Sequence, residues 1–213
     1  MSARKPWIPA ALFAALILTS LPAHADKRRF EVAPFGGYRI GGEFDVEDEQ
    51  GNELRSADFE EHSSFGLGLA LYRDPNGFYE LLYSRQETQF EDSDPEIDGT
   101  DITIEYYQFG GTLIFDYEPW LRPYLSLTFG LTRFDADSFG SEYKFSGSLG
   151  LGWRFPVSER LSFIVGGRAF ATLIDSDTEF VCASGNGRGT CLVGSSGDLI
   201  LQGEATLGLA FRF

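Results

Sequence analysis

A strict alternation of apolar and polar side chains over the last fifteen residues constrains this chain most. The polar face carries Gln202, Glu204 and Arg212. The opposite face is apolar or small along its whole length and consists of Leu199, Leu201, Gly203, Ala205, Leu207, Leu209, Phe211 and Phe213. Successive side chains of a β-strand point to opposite faces, so this period of two predicts a strand with one apolar face.

The same period recurs in seven further segments, which together with the last one predict eight strands. The seven segments are 30–44, 64–73, 78–90, 102–116, 123–134, 143–155 and 161–173. The 25 Gly and 20 Phe of the chain fit many short strands better than helices. In the segment 102–116 the alternation changes phase near Tyr106 and Tyr107, which predicts a β-bulge there.

The connections between these strands alternate between long and short. Long connections span 45–63, 91–101, 135–142 and 174–197, and they hold most of the acidic residues. Short ones span 74–77, 117–122 and 156–160 and contain Pro, Asn and Gly, which favour turns. Outer-membrane barrels have short periplasmic turns and longer outer loops. Nothing in a soluble sandwich requires long and short connections to alternate in this way. The sequence therefore predicts an all-β fold, an eight-stranded antiparallel up-and-down transmembrane β-barrel.

The composition of the two faces favours a membrane barrel over a soluble one. The polar face is rich in Gly, Ser, Thr and Ala with few charges, which suits a crowded lumen better than a solvated surface. The apolar faces of 143–155 and 199–213 carry no charge, as insertion requires, because a charge at mid-bilayer costs about 2–4 kcal/mol. Aromatic residues near the short turns predict an interfacial girdle of Tyr117, Trp120, Tyr124, Trp153, Phe155, Phe211 and Phe213.

The first 25 residues have the pattern of a secretory signal peptide. Arg4 and Lys5 precede an apolar run, and Ala23 and Ala25 provide the small residues of a cleavage site. A membrane anchor is the alternative, but the run is shorter than about 17 residues. We therefore expect a signal peptide over 1–25 and one barrel domain over 26–213. Export permits a disulfide, which we predict between Cys182 and Cys191.

The segment Leu207-Gly-Leu-Ala-Phe-Arg-Phe213 resembles the terminal insertion signal of bacterial outer-membrane barrels, with Leu207, Leu209, Phe211 and Phe213 as its apolar positions. Segments 110–115 and 123–131 look like strands of the small outer-membrane barrel superfamily, which includes the OmpA membrane domain and OmpW-like proteins. The resemblance implies export through the periplasm, a Gram-negative outer membrane, contact with its lipids and lipopolysaccharide, and insertion by the barrel-assembly machinery. The net charge of −15 argues against nucleic-acid binding.

The interior of an eight-stranded barrel is just wide enough for side chains to fill. The alternation along each strand predicts which charged side chains point into the lumen, mainly those of Arg39, Glu80, Lys144, Arg154, Arg168, Glu204 and Arg212. The carboxylates of Glu31, Glu43 and Glu105 are also expected to face inward. These charges have two interpretations, a set of mutually satisfied ion pairs that fills the lumen or a narrow ion path. The width of the barrel favours the filled lumen.

The favoured function is a non-enzymatic outer-membrane protein, structural or interacting through its acidic outer loops. The alternative is a porin-like passage for small or hydrophobic solutes. A second alternative is a lipid A-modifying barrel enzyme, because His62 and Ser64 have the His-x-Ser spacing that resembles lipid A deacylase barrels. We assign no catalytic, cofactor or metal residue. With two His and two Cys, a zinc cluster is nearly excluded, while the acidic segment 92–101 leaves a calcium site open.

Overall fold

The computed structural model describes residues 29–42, 44–47, 53–91, 101–136, 140–174, 182–185, 188–191 and 199–213. The predicted signal peptide lies outside them. Their regular structure consists of twelve strands, β1 (Phe30–Gly41), β2 (Phe44–Glu47), β3 (Glu53–Phe59), β4 (His62–Asp74), β5 (Gly77–Glu91), β6 (Asp101–Ile114), β7 (Arg122–Ala136), β8 (Gly140–Pro156), β9 (Leu161–Leu173), β10 (Cys182–Gly185), β11 (Arg188–Cys191) and β12 (Leu199–Arg212). No helix in the described residues is long and apolar enough to cross a bilayer.

Eight of these strands close into an antiparallel barrel. Its order is β1, β4, β5, β6, β7, β8, β9 and β12, and β12 pairs back onto β1. The predicted eight-stranded barrel is thereby confirmed. The predicted strand 30–44 ends earlier, at Gly41, because Gly41 and Gly42 have φ of 81° and 112°, outside the strand region.

The four remaining strands lie in two long connections, where the alternation did not predict them. β2 and β3 form a hairpin, and β3 also pairs with the end of β5 at Asp58 and Phe59. β10 and β11 form a separate hairpin.

The predicted β-bulge near Tyr106 is wrong. The register between β5 and β6 runs without a shift from Gly77↔Leu113 to Gln89↔Asp101. Even-numbered residues of β6 face inward along the whole strand. The sequence pattern suggested a change of phase because its usual polarity is reversed at these positions. The apolar side chains of Ile104 and Tyr106 point inward, while the charged side chain of Glu105 points outward.

The barrel is apolar outside and polar inside. Leu149 and Leu151 of β8 are 48% and 53% exposed, whereas Ser146 and Ser148 on the other face are buried. The same alternation holds around the barrel, and the buried residues include more polar than apolar side chains. This arrangement inverts the usual distribution of a soluble protein, so the apolar surroundings must lie outside the cylinder.

The two ends of the barrel differ. We call one the turn end, because it carries the connections 75–76, 115–121 and 157–160. There Phe30, the first residue of β1, and Phe213 share a backbone hydrogen bond of 2.8 Å. We call the opposite one the loop end, with the connections 42–61, 92–100, 137–139 and 174–198. The connection 137–139 is shorter than predicted because β7 and β8 extend beyond the expected 123–134 and 143–155.

The barrel strands are longer than a bilayer requires. They contain 12 to 17 residues, whereas a tilted transmembrane strand needs about 9–11. The strands are therefore long enough to extend beyond a hydrocarbon region of that thickness.

Candidate functional site: the filled lumen

The lumen holds three layers of buried ion pairs, and the first lies at the turn end. Arg154 Nη2 of β8 donates to both carboxylate oxygens of Glu31 of β1 at 2.7 Å. The hydroxyl of Tyr72 donates to Glu31 Oε2 at 2.9 Å. Arg212 completes the layer, because its Nε lies 3.6 Å from Glu31 Oε2 and its guanidinium stacks 3.7 Å from the centroid of the Tyr72 ring. The Glu31 carboxylate therefore forms ion pairs with two arginine side chains.

The second layer lies in the middle of the barrel. Arg168 of β9 pairs with Glu80 of β5 at 3.3 Å. The hydroxyls of Thr112 and Ser126 donate to the other oxygen of this carboxylate at 2.8 and 2.6 Å. Arg168 Nη1 also donates to Ser148 Oγ at 2.9 Å. Hydroxyls from β6, β7 and β8 therefore supply hydrogen bonds to both charged groups of this buried pair.

A ladder of neutral polar side chains continues from the second layer towards the loop end. Gln108 Nε2 donates to Ser146 Oγ at 3.1 Å. Its Oε1 accepts hydrogen bonds of 2.7 Å from the hydroxyls of both Thr128 and Ser148. The strands β6, β7 and β8 are thus linked through their inward faces as well as their backbones.

The third layer joins β1 to β12. Arg39 Nη2 donates to Glu204 Oε1 at 2.8 Å, and Ser84 Oγ donates to the same oxygen at 3.1 Å. The guanidinium of Arg39 lies 4.9 Å from the ring centroids of both Tyr106 and Phe170. Cation–π attraction therefore replaces part of the hydration that Arg39 loses on burial.

An apolar cluster surrounds this layer and extends from it towards the loop end. Its buried members are Phe59, Leu82, Ile102, Ile104, Tyr106, Phe134, Phe170, Ile174 and Ile200, with Phe35 packed against them. The alternation did not predict this cluster, because it indicated a polar lumen throughout. The sequence signal for this cluster is that Ile102, Ile104 and Tyr106 are even-numbered, like the polar Gln108 and Thr112. In a strand without a bulge, all five side chains lie on the same face.

The remaining inward charge of the predicted set is Lys144 of β8. It is buried near the loop end, and its Nζ lies 3.0 Å from Glu142 Oε1. Glu43 lies outside the described residues.

Cavities remain between these side chains in the described residues. A cavity of about 70 Å³ lies beside Phe35, Gly68 and the Glu80–Arg168 pair. A cavity of about 170 Å³ lies at the turn-end mouth, where Arg160 helps to line it.

Two predicted orientations are wrong. Glu105, expected to face inward, lies on the outer face near the loop end and accepts hydrogen bonds from Tyr83 at 2.7 Å and Arg133 at 2.9 Å. Glu105 is buried because these partners on the outer face cover it, and not because it points into the lumen. Tyr124, expected in the outer girdle, points inward and packs against a buried cluster that includes Tyr72.

The other aromatic residues of the girdle lie outside the barrel wall at the turn end. Exposed members are Tyr117, Trp120, Trp153, Phe211 and Phe213, and Phe155 is half-buried. Leu207 and Leu209 of the insertion signal are exposed on the same face of β12 as Phe211 and Phe213.

The two residues of the enzyme hypothesis are close along the chain but not connected. His62 is exposed at the start of β4, whereas Ser64 is buried and faces the lumen. Ser64 Oγ makes no hydrogen bond in the described part of the chain, so the two side chains are not hydrogen-bonded to each other in this arrangement. Within the same residues no cluster of three or more His, Cys, Asp or Glu could hold a metal ion. The calcium hypothesis falls on 92–101, of which 92–100 lie outside the described residues.

At the turn end a small polar network joins two connections. Asp116 accepts hydrogen bonds from Asn76 Nδ2 at 2.8 Å and from Arg122 Nη2 at 2.6 Å. These two bonds hold the pKa of the Asp116 carboxyl below its ordinary value. The network fixes the connection 115–121 against the turn 75–76.

The geometry defines a closed, inside-out β-barrel with a filled lumen, which is the architecture of outer-membrane proteins. The chain matches the outer membrane protein beta-barrel domain family over residues 11–213 and belongs to that family. No curated protein is significantly similar to it.

Solved structures share the fold at low sequence identity. Neisserial surface protein A is 16% identical, with a TM-score of 0.57 and coverage of 86% of this chain and 97% of that one. OprG from Pseudomonas aeruginosa is 12% identical, with a TM-score of 0.56 and coverage of 88% and 99%. AlkL, studied in lipid bilayers, is 13% identical, with a TM-score of 0.54 and coverage of 91% and 95%. At these identities the similarity concerns the fold alone.

Proposed function

We propose that this protein is a non-enzymatic, non-conducting barrel of a Gram-negative outer membrane, and that it acts through its acidic outer loops. The observation that carries the proposal is the filled lumen. Three ion-pair layers and the apolar cluster occupy the lumen in the described residues, and the cavities beside them have volumes of about 70 and 170 Å³. In this proposal the turn end faces the periplasm and the loop end faces outward.

Conductance across a planar bilayer tests the proposal. We expect the refolded wild-type barrel to give no steady conductance. Phe170→Ala, which removes a ring from the apolar cluster, should raise conductance above the wild type. Phe109→Ala is the matched control, because Phe109 lies on the outer face at 56% exposure. A large, steady wild-type conductance would contradict the proposal.

The proposed interaction surface is the acidic loop end, and lipopolysaccharide is its proposed partner through divalent cations that bridge carboxylates to phosphates. The connections 42–61 and 92–100 are rich in Asp and Glu. We expect lipopolysaccharide to bind to the barrel in calcium chloride and to dissociate from it in EDTA. The comparison is a variant in which the acidic residues of 92–100 are changed to Asn or Gln. Equal binding by this variant and the wild type would remove the loops from the proposal.

The barrel-assembly machinery is the second proposed partner. The outward face of β12 presents Leu207, Leu209, Phe211 and Phe213 as an uninterrupted apolar row. Removal of Phe213 should lower insertion in cells, while refolding into detergent should stay efficient. Unchanged insertion in cells would show that this row is not read as a signal.

A second candidate function is passage of small hydrophobic solutes through the wall. It is favoured by the cavity of about 70 Å³, which Pro34 helps to line next to the β1–β12 seam. The seam pairs Val32 with Phe211 and Phe35 with Gly208, but Ala33 and Pro34 between them are not paired with β12. The rate of alkane uptake into liposomes distinguishes this function from the first proposal. A passage through the wall should make uptake faster than in protein-free liposomes, whereas the first proposal expects the same rate in both.

The lipid A enzyme is the third hypothesis, and mass spectrometry of lipid A tests it. We expect cells that express the wild type and His62→Ala to contain the same lipid A species. A modification that depends on His62 would replace the proposal with the enzymatic one.

A further inference from the structure

Four arginines surround the pocket of about 170 Å³ at the turn-end mouth of the lumen. They come from the start of β7, from β8, from the turn 157–160 and from the end of β12, and they are Arg122, Arg154, Arg160 and Arg212. Glu31 and Glu159 are the only carboxylates that line it. A basic concavity stands out in a chain with a net charge of −15.

The turn 157–160 is fixed by its own hydrogen bonds. Ser158 Oγ accepts the backbone N–H of Arg160 at 3.3 Å and that of Leu161 at 3.1 Å. The carbonyl of Arg160 accepts the N–H of Arg212 at 2.8 Å, which ties the turn to β12. The backbones of two pocket arginines are therefore held together before any ligand arrives.

The pocket has more positive than negative charge. Arg154 occupies both oxygens of Glu31, so Arg212 shares a carboxylate that is already paired. In the described residues no ion pair engages the side chain of Arg160. Arg122 is paired with Asp116, which does not line the pocket. Arg122, Arg160 and Arg212 are all accessible, whereas Arg154 is buried beneath them.

We propose that this pocket binds a phosphate group at the turn end of the barrel. Planar guanidinium groups bind phosphate oxygens with paired, charge-assisted hydrogen bonds, and several converging arginines favour such an anion over chloride. Arg160 and Arg212 make the principal contacts, and Arg154 supplies positive charge from below. The phosphate comes from a soluble compound or from a phospholipid headgroup at the rim.

Amide chemical shifts of the whole refolded barrel in zwitterionic micelles test this site with inorganic phosphate at constant ionic strength. We expect saturable shifts at Ser158–Ser162 and Arg212. Arg160→Gln and Arg212→Gln should each weaken binding about tenfold, and the double variant should abolish it. Arg73→Gln is the matched control, because Arg73 lies at another turn of the same end, pairs with Asp74 and does not line the pocket.

Arg160→Gln keeps the barrel testable, since within the described residues only the backbone of Arg160 contributes hydrogen bonds to the fold. The proposal is overturned if the wild type shows no saturable shifts, or if the double variant binds phosphate as well as Arg73→Gln does.

Nanodiscs distinguish the two phosphate sources. If a headgroup occupies the pocket, phosphatidylglycerol discs should already show the shifted amides and should weaken the response to added phosphate, with both effects absent from the double variant. If the ligand is soluble, phosphatidylglycerol and phosphatidylcholine discs should respond equally. Absence of a phosphate response in both lipids would contradict the site altogether.

Discussion

Arg39 and Glu204 form a 2.8 Å ion pair in which the two side chains are 0% and 1% exposed. The pair joins the first and last strands, which close the barrel. Nε and Nη1 of Arg39 have no hydrogen-bond partner in the described residues, so the Tyr106 and Phe170 rings are their main compensation. The stability of the closure therefore depends on keeping both charges or removing both.

Breaking this pair from one side should destabilise the barrel strongly. Glu204→Gln leaves the Arg39 charge buried without a counter-ion, and we expect a loss of about 3–5 kcal/mol in the free energy of unfolding. Arg39→Met combined with Glu204→Leu should recover most of the loss, because no buried charge then remains. Urea unfolding in lipid vesicles measures both, with Arg73→Gln at an exposed pair expected to have little effect on the free energy of unfolding. Similar losses for Glu204→Gln and Arg73→Gln would contradict the interpretation.

Two adjacent glycines of β6 should differ in their tolerance of alanine. A Cβ on Gly110 would lie 2.0 Å from the carbonyl oxygen of Leu127 on β7, and backbone cannot move aside easily. On Gly111 the nearest atom would be the carbonyl oxygen of Phe78 at 3.6 Å, an ordinary contact. We expect Gly110→Ala to cost about 1–3 kcal/mol.

Gly111→Ala is the matched control for this pair. It should leave the barrel unchanged or stabilise it by up to about 1 kcal/mol, because alanine is favoured over glycine within a strand. Thermal unfolding followed by the gel shift of unheated samples measures both variants. Equal stability of the two variants would show that the close approach of β7 does not constrain β6.

The Asp116 network predicts a dependence of stability on acid pH. Its folded-state pKa is lowered by the hydrogen bonds from Asn76 and Arg122. The stabilisation is therefore complete above the unfolded-state pKa, about 3.9 for aspartate, and is lost as the pH falls through the folded-state value. At pH 7 the wild type should melt higher than Asp116→Asn, and the difference should vanish in strong acid. A difference that stays constant down to pH 2 would exclude the carboxylate as its origin.

The barrel could be predicted from the sequence because a period of two is read directly from each segment. The composition of the polar face then indicated that apolar residues such as Leu149 point outward. Both inferences are local, since they need no knowledge of which strand lies opposite. The predicted ends of β7 and β8 were less accurate, because strands that leave the bilayer no longer need alternating hydrophobicity.

The pairing inside the lumen could not be predicted in the same way. Arg154 meets Glu31 across 123 residues of sequence, and Arg39 meets Glu204 across 165. The first pair spans the lumen and the second joins the neighbouring strands β1 and β12. Both depend on strand order, tilt and stagger, which no single segment encodes. Glu105 was assigned to the wrong face for a related reason, since its charge is tolerated outside only because Arg133 and Tyr83 on neighbouring strands accompany it.

The disulfide between Cys182 and Cys191 remains a prediction, which the backbone register of β10 and β11 supports by pairing the two residues directly. Protein isolated from the outer membrane should therefore gain alkyl groups only after reduction. The hairpin lies outside the eight barrel strands, so Cys182→Ser with Cys191→Ser should change barrel unfolding by less than about 0.5 kcal/mol. Proteolysis within the connection 174–198 should be faster in this double variant, because an unbridged hairpin opens more often. Alkylation of unreduced protein would contradict the bridge.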